Sequence, residues 1–178
     1  MVRSSTVGMG FSSIGRLDPG FFYREPMTNQ EFLNIADLAG AYWHYLGNPR
    51  PEVPHVRLAS GLHGINYLNC STILAWSQLN RLFAGLIAAK VHAELKQIGE
   101  IDWVVGAAMA GVPLAVELAR QLHCRSGYVE KDDRGELTKL RFDIAPRGRV
   151  LVVNELMTTA GGSTWAVKKI VLERSPLA

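Results

Sequence analysis

Residues 149–165, RVLVVNELMTTAGGSTW, limit what this chain can fold into more than any other stretch. The run 150–153 is apolar and mostly β-branched, the composition of a strand buried on both faces. A polar pair follows, Asn154 and Glu155, and then a turn of small and hydroxylated residues over 158–164. A helix is expected over 165–173. A buried strand that ends in acid or amide and turns through Thr, Gly and Ser into a helix suits a phosphate. Unpaired backbone N–H groups gather at the helix start, glycines let an anion approach, and hydroxyls add donors.

A second unit of the same kind lies upstream. Residues 101–105 (IDWVV) read as a short buried strand, 106–111 (GAAMAG) as a small-residue loop, and Pro113 suits the first turn of a helix. Leu114, Val116, Leu118, Ala119 and Leu122 continue that helix, and Tyr128 to Glu130 begins the next strand. Strand, loop, helix and strand form a parallel βαβ unit. Ligands of open parallel sheets bind beyond the carboxyl ends of the strands. The loops 106–111 and 154–164 are therefore expected on one edge.

Between the two units, 131–149 carries six basic and four acidic residues. Leu140 to Ile144 alternates and suits one arm of a hairpin. The hairpin is either a solvated surface feature or a flap bringing Lys131, Arg134, Lys139 or Arg141 over an anion.

The N-terminal third is less regular. Residues 1–26 are rich in Gly and Ser and read as an arm. Thr28 and Glu31 have capping-box spacing, with Met27 and Phe32 placed as a hydrophobic staple. Apolar residues continue at helical spacing through Tyr42 and Trp43 to Leu46, and Gly47 is a natural stop. Residues 56–68 read as two extended pieces around a turn at Ser60-Gly61 and Gly64. Ser71 can cap a helical stretch, and an amphipathic helix is expected over 81–98.

Composition narrows the function classes. The 178 residues suit one domain with a real core. A net charge of +3 without a Lys/Arg cluster gives no reason to expect nucleic acid. No apolar run reaches the roughly 20 residues that span a bilayer. Arg3 is not followed by the apolar segment of an export signal. Cys70 and Cys124 lie far apart and in no metal spacing, which suits reduced thiols inside a cell.

Four pieces occur in a telling order: SGLHxxxY at 60–67, VVGAAMAGVPLA at 104–115, YVEKDDRGELTKLR at 128–141, and VLVVNELMTTAGGS at 150–163. In this order they resemble the type I phosphoribosyltransferases, and within them the orotate branch. The resemblance covers roughly residues 50 to 173. It implies an α/β fold, a central mainly parallel sheet flanked by helices with a small N-terminal hood. In these terms 1–26 is an arm and 27–178 a single domain, with 27–70 contributing to the hood and 71–178 forming the core.

The resemblance also implies substrates and roles. Phosphoribosyl pyrophosphate with Mg²⁺ would be the donor and orotate the acceptor. Thr158, Thr159, Ala160, Gly161, Gly162 and Ser163 would hold the 5-phosphate. Asn154 and Glu155 would contact the ribose hydroxyls. Ala108, Met109, Ala110 and Gly111 would meet the pyrophosphate through backbone amides, while Ser60, Gly61 and Tyr67 would border the base. Lys131 and Arg134 would act from the flap, in this family often across a dimer interface. Catalysis would then fall to Lys131, Arg134 and Glu155, with no all-protein metal site, in a cytoplasmic homodimer that binds neither nucleic acid nor membrane.

Two departures stand beside these matches. The family has two adjacent carboxylates where this chain has Asn154-Glu155, and the loop is one residue longer. Counting back from Gly161-Gly162-Ser163 instead pairs Glu155 with Leu156, and either register leaves a single carboxylate. The family also continues past the last helix. The alternatives are therefore an active enzyme for orotate, the same chemistry on another base, or a non-catalytic binding module.

Overall fold

The computed structural model describes residues 27–45, 55–58, 61–98, 100–156 and 162–174. The expected arm over 1–26, the helix stop at Gly47, and Ser60, Thr158, Thr159, Ala160 and Gly161 lie outside them.

The organising element is a four-stranded sheet. Its strands are β5 (Trp103–Ala107), β6 (Arg125–Lys131), β7 (Leu137–Leu140) and β8 (Val150–Val153), in the order β7-β6-β5-β8. β5 runs parallel to both β6 and β8, and β7 is antiparallel to β6. The fold class is the expected α/β, mainly parallel. β5 lies two residues later than expected and takes in Gly106 and Ala107.

Alternate residues of β5 feed two cores, because side chains alternate across a sheet. Val104 joins Leu114, Ala115 and Leu118 of α4 (Gly111–Gln121) and Ala84 and Ala88 of α3 (Ser77–Ile98). Trp103, Val105 and Ala107 join Val129, Leu140 and the two buried valines, Val167 and Val171, of α5 (Ser163–Arg174). Helices thus cover both faces of the sheet, as a buried parallel sheet requires.

A third cluster, formed with the N-terminal elements, packs on the other end of α3. Leu79 and Leu82 meet Ala36 of α1 (Asn29–Leu38) and Ile73 of α2 (Cys70–Leu74), with Phe32 and Trp76 packed against the cluster. Two small antiparallel pairs complete these elements. β1 (Tyr42–His44) pairs with β4 (Asn66–Leu68), and β2 (Val56–Arg57) with β3 (His63–Gly64).

The capping box forms: Thr28 Oγ1 accepts from Glu31 N at 3.2 Å, and Glu31 Oε2 accepts from Thr28 N at 2.8 Å. The far end of α1 corrects the sequence reading. The helix stops at Leu38 instead of running to Leu46, because Gly40 turns left-handed at φ +66°. Gly40 N then donates to Asp37 O at 2.9 Å and Ala41 N to Ala36 O at 2.8 Å, the paired bonds of a Schellman cap. Tyr42 and Trp43, in phase with the helix, enter β1 instead.

Three other boundaries shift. Asn69, not Ser71, precedes α2, and its side chain makes no cap bond. α3 begins at Ser77, four residues ahead of Arg81. The second flap arm is β7 at 137–140, so it ends where alternation was expected to begin. A register shift at Glu130/Lys131 and a tight turn explain this: Asp132 Oδ1 accepts from Arg134 N at 2.9 Å and Glu136 N at 3.0 Å, so pairing resumes at Leu137. Gly64 lies in β3, and the turn between β2 and β3 includes Gly61 at φ +82°.

Candidate active site

The first wall of the site is the junction of β5 and α4. A Cβ on Gly106 would lie 2.4 Å from Gly111 O and 3.0 Å from Ala115 Cβ, so only glycine lets the helix start this close to the strand. The short loop between them is tied down at both ends. Ala108 N donates to Val129 O at 3.0 Å and Val112 N to Met109 O at 3.1 Å. Ala108 is buried, Met109 is 80% exposed, and the Ala108–Met109 peptide is cis.

The second wall is the end of β8. Val153 is buried, and Asn154 and Glu155 follow it directly. A Cβ on Gly111 would lie 3.4 Å from Glu155 Oε2, so the two loops do meet at one edge. Asn154 Nδ2 donates to Leu156 O at 2.9 Å and stands 3.5 Å from Thr164 Oγ1. Gly162 precedes α5, which begins at Ser163, and among the described residues nothing lies within 4 Å of a Cβ placed on Gly162.

Glu155 is the unusual group here. Its Oε2 is out of solvent and has no hydrogen-bond partner among the described residues. It borders a cavity of about 150 Å³ between the N-terminal helices and the sheet edge, lined by Phe32, Cys70, Phe83, Leu114 and Asn154 among others. Burial raises the Cys70 thiol above its ordinary value, and the Glu155 charge adds to the effect. A carboxylate oxygen removed from water without a donor is costly, which marks the spot as one that a ligand's donors would complete.

The flap rises beside this edge. Val129 pairs with Ala107 at the end of β5, so Glu130 and Lys131 project beyond it. Lys131 and Arg134 are exposed. Arg141 is committed elsewhere: its Nε donates to Glu130 Oε1 at 2.5 Å. That hydrogen bond holds the Glu130 carboxyl below its ordinary value and the Arg141 guanidinium above its own.

Among the sequence-derived candidates, the structure brings together Ala108, Met109, Ala110 and Gly111 with Asn154 and Glu155. It places Gly61 on the β2–β3 turn and Tyr67 on β4, both among the N-terminal elements; Tyr67 is 43% exposed. Sequence reasoning missed three contributors. Gly106 was read as loop. Cys70 was read only as a reduced thiol, yet it lines the cavity at Glu155. Asn80 ties α3 to the start of α4, its Nδ2 donating to Pro113 O at 3.0 Å.

No family model matches the chain. An orotate phosphoribosyltransferase from Caldicellulosiruptor bescii is 38% identical over 121 residues, 67% of this chain and 60% of the relative. The chain therefore spans about three fifths of the length of that relative. The orotate phosphoribosyltransferase structure from Aeropyrum pernix superposes with a TM-score of 0.56 at 23% identity, covering 80% of this chain and 74% of that one. The Leishmania donovani UMP synthase gives 0.57 at 14% identity, covering 85% of this chain and 30% of that one. The chain shares the fold of these solved structures, and over two thirds of its own length its sequence resembles curated orotate phosphoribosyltransferases.

Proposed function

We propose that the chain transfers a phosphoribosyl group from phosphoribosyl pyrophosphate to orotate, giving orotidine 5′-monophosphate and pyrophosphate. The observation that carries this reading is the Glu155 carboxylate oxygen, buried beside Gly111 without a donor among the described residues. Ribose hydroxyls would supply the missing donors. The names of the curated relatives support orotate as the acceptor.

In this reading the bond from ribose C1 to the pyrophosphate oxygen breaks as a ring nitrogen of orotate bonds to the same carbon. Positive charge develops on the sugar and negative charge on the leaving group. Glu155 stabilises the first and Lys131 the second. Backbone amides at 108–111 hold the pyrophosphate, the 158–163 stretch holds the 5-phosphate, and Gly61 and Tyr67 border the base. The flap with Lys131 and Arg134 excludes water that would hydrolyse the activated sugar.

The donor set fits Mg²⁺ as a substrate-borne ion. Glu155 and the amide oxygen of Asn154 are hard oxygen donors, while no group of three His, Cys, Asp or Glu residues among the described residues could enclose a metal. When bound, Mg²⁺ would neutralise charge on the leaving pyrophosphate. The proposal extends to a cytoplasmic homodimer with 27–70 as hood and 71–178 as core. No described helix is long and apolar enough to cross a membrane.

The direct test is an orotate assay with phosphoribosyl pyrophosphate and Mg²⁺. Turnover is expected, and Glu155→Gln or Lys131→Ala is expected to lower kcat by about 10²-fold or more. No turnover above a protein-free control overturns the reading. Donor binding without turnover would favour a regulatory binding module, a reading supported by the missing charge at Asn154. Turnover with a different base would move the acceptor but keep the chemistry.

A further inference from the structure

We infer that Asn154 is a positioning residue that holds together the two ends of the β8–α5 loop, and that this position needs an amide and not a carboxylate. The functional consequence rests on the phosphoribosyl-transfer reading; the structural basis does not.

Leu156 precedes the loop stretch 157–161 and Thr164 lies in the first turn of α5 after it. The Asn154 side chain touches both, donating to Leu156 O at 2.9 Å and standing 3.5 Å from Thr164 Oγ1. A carbonyl oxygen only accepts, so the group facing Leu156 O must be a donor, and this fixes which way the amide points. An ionised aspartate has acceptors only. At 154 it would set a negative charge against the Leu156 carbonyl and lose the bond. The Thr164 hydroxyl can turn to donate or accept, so the 2.9 Å contact is the one that discriminates.

The neighbouring junction shows why a side chain is needed. β5 and α4 are closed by direct backbone contact between Gly106 and Gly111. At the start of α5, a Cβ on Gly162 would meet nothing within 4 Å among the described residues, so no such contact is seen there. Asn154 and Glu155 therefore divide the work: the amide fixes the neck of the loop, and the carboxylate supplies the charge. The pair is not a weakened pair of acids, and restoring aspartate at 154 should harm the site.

The test compares wild type, Asn154→Asp, Asn154→Ala and Thr164→Val. Each is titrated with phosphoribosyl pyrophosphate and Mg²⁺ at about pH 7.5 and about pH 3, on either side of the ordinary aspartate value near 3.9, with wild type at each pH as the reference. At the higher pH, Asn154→Asp and Asn154→Ala are each expected to bind roughly three- to tenfold more weakly than wild type, the value of one hydrogen bond. In the assay the rise in KM should exceed the fall in kcat. At the lower pH the aspartic acid can donate to Leu156 O, so Asn154→Asp should return toward wild type while Asn154→Ala does not. Thr164→Val removes the contact that reaches from Asn154 across to α5, so it too should weaken binding, by less than the loss of the whole amide in Asn154→Ala. Tighter binding or faster turnover by Asn154→Asp at the higher pH overturns the inference.

Amide hydrogen exchange without ligand separates this inference from the functional reading. Peptides spanning 155–166 should exchange faster in both Asn154 variants. Unchanged exchange overturns the inference even if wild type binds the donor. Faster exchange upholds it even if wild type binds nothing.

Discussion

The two strand–loop–helix junctions at the carboxyl edge of the sheet share a sequence pattern and differ in how they close. β5 is central, and all five of its residues are buried. Its helix, α4, buries Leu114, Ala115, Leu118 and Ala119, and Gly106 brings helix and strand into backbone contact. β8 pairs only with β5 among the described strands, and three of its four residues are half-buried. Its helix, α5, buries Val167 and Val171 but leaves Trp165 56% and Leu172 41% exposed. Position in the sheet accounts for the difference. A central strand meets neighbours on both edges and both faces, so its loop can be fixed by packing. A strand at the sheet's margin has fewer neighbours, and its loop depends on side-chain bonds. Sites that must close on a ligand are drawn from the less stable part of a fold.

The comparison is most exposed at Gly106. Gly106→Ala forces a methyl to within 2.4 Å of Gly111 O, which no rotamer change relieves. It is expected to cost about 3 kcal/mol or more, read as a shift in the urea midpoint. An alanine tolerated there would mean that the junction is not locked.

Next is a matched pair of leucines on the two helices. Leu118→Ala empties a fully buried site and should cost about 2–5 kcal/mol. Leu172→Ala, at a site 41% exposed, should cost less than about 1 kcal/mol in the same measurement. Equal losses would erase the distinction between α4 and α5.

Gly111→Ala approaches the same contact from the other side. Its Cβ would sit 3.7 Å from Gly106 backbone and 3.4 Å from a movable carboxylate oxygen. Stability should change by less than about 1 kcal/mol, since the gain in helix propensity offsets the crowding.

The smallest effect is expected at the flap. The hydrogen bond from Arg141, helped by the charges of Arg141 and Lys139, depresses the Glu130 carboxyl below the ordinary 4.5 despite some desolvation. A depressed carboxyl stabilises the fold fully above its unfolded value and loses that contribution as pH falls through its folded value. The melting difference between wild type and Arg141→Ala should therefore shrink on acidification below about pH 4.5. A difference that grows on acidification would contradict the pair's sign.

What the sequence made legible was local or strongly patterned. The Thr28/Glu31 box needs only four consecutive residues, and the βαβ units announce themselves as apolar runs broken by small residues. The misread parts depend on distant partners. Tyr42 and Trp43 keep a helical period, and only Gly40 and the pairing with β4 make them a strand. The flap arm moved because one carboxylate, Asp132, gathers two backbone amides. At the site, residue types gave the phosphate-loop chemistry and the single carboxylate. They could not give the direction of the Glu155 carboxylate, the cavity it shares with Cys70, or the bond that occupies Asn154. The first two follow from how α1, α2 and α3 pack near the end of β8, and the last from the path of the chain between β8 and α5.

The central claim is that the edge where 108–111 meet Asn154 and Glu155 belongs to a site that grips a phosphoribosyl group. Isothermal titration of the wild-type chain with phosphoribosyl pyrophosphate and Mg²⁺, followed by an orotate assay on the same sample, tests it most directly. The expected result is saturable binding at one site per chain, weakened by Lys131→Ala, with orotidine 5′-monophosphate formed on adding orotate. Absence of binding heat together with absence of product would contradict it.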